Sequence, residues 1–143
     1  MPYSTLDDIK KLIPEDALIQ LTDDEGLGTV NQTRVDEAIA QADAEIDSYC
    51  GGRYSVPFST VPEIIKKFSV DIAIYNLYSR RVEVIPEVRS ERYRNAIRQL
   101  EGISKGLISL GVDPAPSASS DGRAETNKTT DENVFSRDSL EGF

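Results

Sequence analysis

The 143-residue chain contains no histidine, no tryptophan, one cysteine and one methionine. Without histidine, the side chain that titrates nearest neutrality is missing, which excludes Ser–His and Cys–His catalysis and His-ligated metal sites. A lone cysteine permits neither an internal disulfide nor a thiolate cage, and fits a reducing compartment. No apolar run approaches the ~20 residues of a membrane span, and the opening MPYSTLDDIKK has neither a basic nor an apolar leader region, so no membrane segment and no export signal are expected. What is abundant is acid: 25 Asp and Glu against 16 Lys and Arg, a formal charge of -9. That balance argues against binding duplex DNA, which draws its affinity from cations on phosphates. The length suits one ordered domain with a tail to spare.

The charge is unevenly placed. Residues 1–50 hold 12 acidic and three basic side chains, whereas 80–98 hold six arginines. Residues 1–111 read as a helical domain. From Val112 the chain turns to Pro, Ser, Thr, Asp and Asn, with too few large apolar residues to offset its own ordering entropy, so 112–143 is expected to be a flexible tail that orders on a partner.

Within 1–111 the apolar spacing is helical almost throughout. Ser4 or Thr5 caps a first helix with Leu6, Ile9, Leu12 and Ile13 on one face, ended by Pro14, which in turn opens a short second helix carrying Leu18 and Leu21. A third starts near Asn31 or Thr33, aligns Val35, Ile39, Ala42, Ile46 and Tyr49, and stops at Gly51–Gly52. After a connector, RYSVPFST, Pro62 opens the helix EIIKKFSVDIAIYNLYSRR, apolar on nearly every side from Phe68 to Tyr78, the profile of the central helix of a bundle. Pro86 opens the last, with Tyr93, Ala96, Ile97, Leu100, Ile103 and Leu107 on one face and Gly111 near its end. The expected fold is all-α, about five helices around a buried central one.

Asp71 falls on the stripe of Ile64, Phe68, Tyr75 and Tyr78, placing a carboxylate on the aromatic face of the most apolar helix. Buried there it needs a partner. Arg53 is the expected one, with Tyr54 packing beside it and pinning the connector to the helix; Tyr75 and Tyr78 read as core or interface aromatics. A catalytic role for Asp71 lacks any second aligned group. Asp23-Asp24-Glu25-Gly26 hints at a calcium loop, but the position that should supply the twelfth-place carboxylate is Arg34 or Val35, so an acidic turn is the better reading. Cys50 reads as a small semi-apolar residue before a turn rather than as a reactive thiol.

The joint order of LTDD, AIAQADAEIDSYCGGRYSVPF, VPEI, DIAIYNLYSRR and RYRNAIRQLEGISKG, over residues 3–111, resembles the Mu-like prophage family of small head-completion or head-tail connector proteins. The resemblance implies a helical adaptor without catalytic activity or cofactor, forming a ring of about twelve copies below the portal, closing the DNA-filled head and offering the tail a docking surface. Its implied partners are itself, the portal protein, and a tail terminator or other neck protein. Packaged DNA would cross the lumen without specific binding. The implied place is the virion neck, assembled in the host cytoplasm.

A head-to-tail ring needs two different complementary patches per subunit. The acidic first half and the basic residues Arg80, Arg81, Arg92, Arg94 and Arg98 are candidates. The plainer reading is an ordinary mixed-charge helix surface held by spacings of three and four. In the tail, Val134, Phe135, Leu140 and Phe143 stand apart in polar surroundings, the pattern of a short motif that folds onto a partner. A second reading, from another class, is a small acidic helical regulator that mimics DNA. It would act as a monomer or dimer and compete with DNA for a basic partner.

Overall fold

In the computed structural model, residues 1–81 and 84–115 are described. Five helices follow one another: α1 (Leu6–Lys10), α2 (Glu15–Thr22), α3 (Gln32–Cys50), α4 (Glu63–Arg81) and α5 (Glu87–Ser104). Among the described residues there is no strand, so the chain is all-α with the expected number of helices. None of these helices is long and apolar enough to cross a membrane.

Local chemistry sets most of the boundaries. Thr5 closes a reciprocal cap on α1: its hydroxyl accepts from the Asp8 N–H at 3.3 Å while the Asp8 carboxylate accepts from the Thr5 N–H at 2.9 Å. Pro14 and Pro86 occupy the N-cap positions of α2 and α5, and the Asn31 side chain caps α3 by accepting from the Arg34 N–H. Two expected ends differ. The first helix stops at Lys10, which leaves Leu12 half exposed rather than on the buried face. The last stops at Ser104 instead of running toward Gly111, because Gly106 adopts φ +81 and its N–H and that of Leu107 turn back to Ile103 and Gly102. That pattern closes a helix C-terminus and strands Leu107 in solvent.

The core is α4. Every residue from Phe68 to Ile74 is buried, including Ser69 and Asp71, and α4 touches all four other helices. Asp24 joins Arg34 at the start of α3 to Arg80 and Arg81 at the end of α4, so these helices run antiparallel. At the far end the Tyr54 hydroxyl, just past α3, accepts from the Leu110 N–H beyond α5 at 3.1 Å, which makes α3 and α5 parallel. The three long helices thus form a triangular bundle, with α1 lying against α3 and α4. Burying Ile65, Phe68, Ile72, Ile74 and Leu77 on α4 stabilises it by about 1.5–3 kcal/mol per side chain.

Candidate functional site

The segment before α1 is tied down by a polar network. Tyr3 donates its backbone N–H to Asp43 Oδ2 (2.9 Å) and its hydroxyl to Asp47 Oδ1 (2.5 Å), and that hydroxyl accepts from the Phe58 N–H (3.1 Å). Ser69 donates to Asp43 Oδ1 at 2.7 Å and shares a 2.7 Å hydrogen bond with Ser4. Residues from the N-terminal segment, α3, α4 and the 51–62 connector therefore meet at one point. Burial raises the Asp43 carboxyl above its ordinary range, reinforced by the Asp47 charge and opposed by the Tyr3 and Ser69 bonds. Burial and the Asp47 bond likewise raise the Tyr3 hydroxyl.

This strap borders one groove, and the far side of α1 borders another. On the strap's α3 side lies one of about 580 Å3, walled by Asp36, Asp43 and Asp47 with Ile39, Ala40 and Ala44 between them. On the other side of α1 lies one of about 330 Å3, between the end of α1, the first half of α4 and Arg92 of α5. Lys11, Lys66, Lys67 and Arg92 line it, with Asp8, Glu63 and the buried Asp71. Lys11 and Lys66 share Asp8 Oδ1 at 3.5 and 3.7 Å. Burial works against the Asp8 carboxylate, but the Thr5 hydrogen bonds and the Lys66 charge prevail and lower its pKa.

Asp71 is where the sequence expectation needs correcting. Its side chain is wholly shielded from solvent, as the helical phase implies, but its partners are Lys67, at 2.9 Å to Oδ2, and Arg92, at 3.5 Å to Oδ1. The Arg53–Asp71 pair is not formed. Asp71 sits eight residues, about 12 Å, into α4, whereas Arg53 lies at the end of the bundle, its guanidinium against Gly106. Arg92 misses hydrogen-bonding geometry, so Asp71 Oδ1 is buried without a bonded donor among the described residues.

The other singled-out residues fall into place around this frame. Tyr54 is buried and packs on Phe58 at 6.2 Å between ring centroids. Tyr75 stacks on Tyr93 at 4.1 Å, and Tyr78 packs half-buried against the core. The Tyr93 hydroxyl donates to Glu45 at 3.1 Å and is pushed up to about 12, chiefly by burial and then by Glu45. Arg80 and Arg81 converge on Asp24 at 2.7 and 2.6 Å, and Arg80 also donates to the Leu21 carbonyl. Their bonds, Arg80's first, hold the Asp24 carboxyl at about 2. Asp23 accepts from the Leu27 and Gly28 N–H groups, which lowers it. The acidic run is therefore a capped turn, its first two carboxylates engaged by the protein itself. Arg94 pairs with exposed Glu87 and Arg98 bonds Asn95, so the basic candidates all have partners within the chain, as an ordinary helix surface would. Cys50 is buried, and its thiol is pushed to about 11 by burial and by Asp47. Val134, Phe135, Leu140 and Phe143 lie outside the described residues.

The strap was missed by sequence reasoning. Its partners stand 26 to 65 positions apart, and the only local signal is that Asp43 and Asp47 flank the Ala42–Ile46 core stripe.

Comparison with known proteins shows what the chain is similar to. The family model described as Bacteriophage Mu, Gp36 matches residues 3–128. The chain is 37% identical over 84 residues to the Mu-like prophage FluMu protein gp36 of Haemophilus influenzae, which covers 59% of this chain and 57% of that protein. It is also 30% identical over 139 residues to gene product J of Escherichia phage Mu, 96% of each. The chain thus spans little more than half of the first relative and nearly all of the second.

Proposed function

The chain belongs to the Bacteriophage Mu Gp36 family, and on that premise we propose that it is a non-enzymatic structural protein of the virion, a head-tail connector that assembles as a ring of about twelve copies below the portal. It closes the filled head and offers the tail its docking surface. Its partners are its own copies, the portal protein and a tail terminator or other neck protein, and DNA passes the lumen without being gripped. Residues 1–111 are the ring-forming body. Residues 112–143 are an arm that docks through Val134, Phe135, Leu140 and Phe143.

The observation that carries this reading is where the buried polar groups point. Ser4, Thr22, Ser69 and Asp71 are the buried polar residues among those described, and each bonds within the bundle: Ser4 with Ser69, Ser69 with Asp43, Thr22 with the Leu18 carbonyl and the Asn31 N–H, Asp71 with Lys67. Polar chemistry inside the bundle positions helices, and recognition is left to charged outer faces, as suits an adaptor.

Light scattering and native mass spectrometry test the proposal, on the protein alone and mixed with the portal protein of the same phage. Closed rings, or a stoichiometric portal complex that weakens when 112–143 is removed, are the expected results. A monomer indifferent to the portal, which instead competes with DNA for a basic protein, would overturn the connector reading in favour of a DNA mimic.

A further inference from the structure

The two grooves beside α1 lean to opposite signs: three aspartates line the α3 groove, whereas four cations outnumber three carboxylates in the other. In the α3 groove, Asp36, Asp43 and Asp47 form no ion pair with any Lys or Arg among the described residues. From Val35 to Gly52 the sequence has five acidic side chains and no basic one. In the other groove four cations lean on Asp8 and Asp71, with Glu63 at the rim.

The cations there are held but not saturated. Lysine has three N–H donors and arginine five. Among the described residues Lys11 and Lys67 each donate one hydrogen bond, to Asp8 and Asp71. Lys66 and Arg92 make only ion-pair contacts beyond good bonding geometry, 3.7 and 3.5 Å. Asp71, wholly buried at the groove floor with Oδ1 unbonded among the described residues, contacts Lys67 and Arg92 from below while 53% and 40% of their side-chain surface stays exposed. Leu12, 40% exposed, and Val70 give the groove an apolar wall. On the acidic face, Ala40 and Ala44 separate the carboxylates and let another backbone approach.

We propose that the basic α1/α4/α5 groove of one copy receives the acidic α3 face of the next copy, in a head-to-tail contact; the proposal rests on the connector reading and names the surfaces through which its ring is built. The two patches are different and both belong to every copy. Each contact therefore leaves one unused patch at either end, and the contact repeats until rotation closes it. The Tyr3–Ser4 strap fixes the two patches relative to each other, since it is bonded to α3 and α4 at once. Contacts built on exposed charge weaken with salt, so assembly falls steeply as ionic strength rises.

Two charge-reversed proteins test it: Lys11→Glu/Lys66→Glu on the basic side and Gln32→Lys/Asp36→Lys on the acidic side. Lys11, Gln32 and Asp36 are exposed and Lys66 is half-buried, and all four lie outside the strap network. Mass is read by light scattering at millimolar protein and low salt. Wild type should assemble, each variant alone should lose the high-mass species, and an equimolar mixture should regain it, because each variant keeps the patch the other lacks and the reversed patches also match. Recovery in the mixture excludes misfolding as the cause of the loss. Variants that assemble as wild type does would overturn the groove pairing and leave the connector reading intact. Wild type that stays monomeric would also overturn it, and the portal-binding assay would then judge the connector reading separately.

Discussion

Removing Asp71 should be nearly harmless while removing its partners should not. The carboxylate is fully shielded, but Lys67 and Arg92 keep 53% and 40% of their side-chain surface in water. Asp71→Ala therefore deletes a desolvated charge with one unbonded oxygen and frees two cations that hydrate where they stand. The lost attraction and the recovered desolvation nearly cancel, and alanine favours the helix, so stability should stay within about 1 kcal/mol of wild type. Lys67→Ala removes the only good hydrogen bond to the buried carboxylate among the described residues and should cost about 1–3 kcal/mol. Lys67→Ala/Arg92→Ala leaves the charge buried and alone, at a cost of about 3–5 kcal/mol. Adding Asp71→Ala to that pair should restore most of the loss. Urea unfolding of all four variants at low protein concentration, where assembly does not add to stability, closes the cycle. A loss above about 3 kcal/mol for Asp71→Ala alone, or none for the double cation variant, would refute the assignment of Asp71 as an anchor supported by its partners.

Tyr3→Phe removes the hydroxyl that accepts from the buried Phe58 N–H and should lower stability by about 1–2 kcal/mol, with faster amide exchange around Phe58. Asp24 and Asp8 have folded pKa values below their unfolded ones, so their contribution is present above the ordinary aspartate range and is lost as pH falls through the folded values, about 2 for Asp24. Asp43, raised by burial, acts with the opposite sign: the stability it withholds returns as pH falls through its folded value. Acid titrations followed by circular dichroism should show Asp24→Asn losing less stability than wild type between pH 4 and 2. Cys50, buried and pushed to about 11, should resist thiol reagents at pH 8 in the native state and react at the rate of unfolding.

How far the sequence carries the fold depends on whether the deciding interaction is local. The bounds of α4 were legible because Pro62 fixes the start and the apolar surround names it the centre. The Thr5 and Asn31 caps are equally local. The end of α5 was misplaced because Leu107 keeps the helical phase and three nearby glycines compete to stop it; only the left-handed turn at Gly106 decides among them. For Asp71, helical phase gave the burial but not the partner. The spacing of four back to Lys67 on the same helix was the better guide than a residue in a connector. The strap and the two grooves were least legible, since each is assembled from segments distant in sequence and neither periodicity nor composition encodes which faces meet.

The strap also has a consequence for synthesis. Ser4 meets Ser69 across 65 positions of chain, and at translation rates of about 5–20 residues per second the second serine appears roughly 3 to 13 s after the first. During that interval α1 has no fourth helix to rest on, and Ile9, Ile13 and Tyr3, buried in the finished protein, must wait in water or in the ribosomal tunnel. Closure of the strap is thus a late event on the nascent chain. A codon change that slows elongation between Asp43 and Ser69 would lengthen the exposure of that apolar segment without altering a single residue.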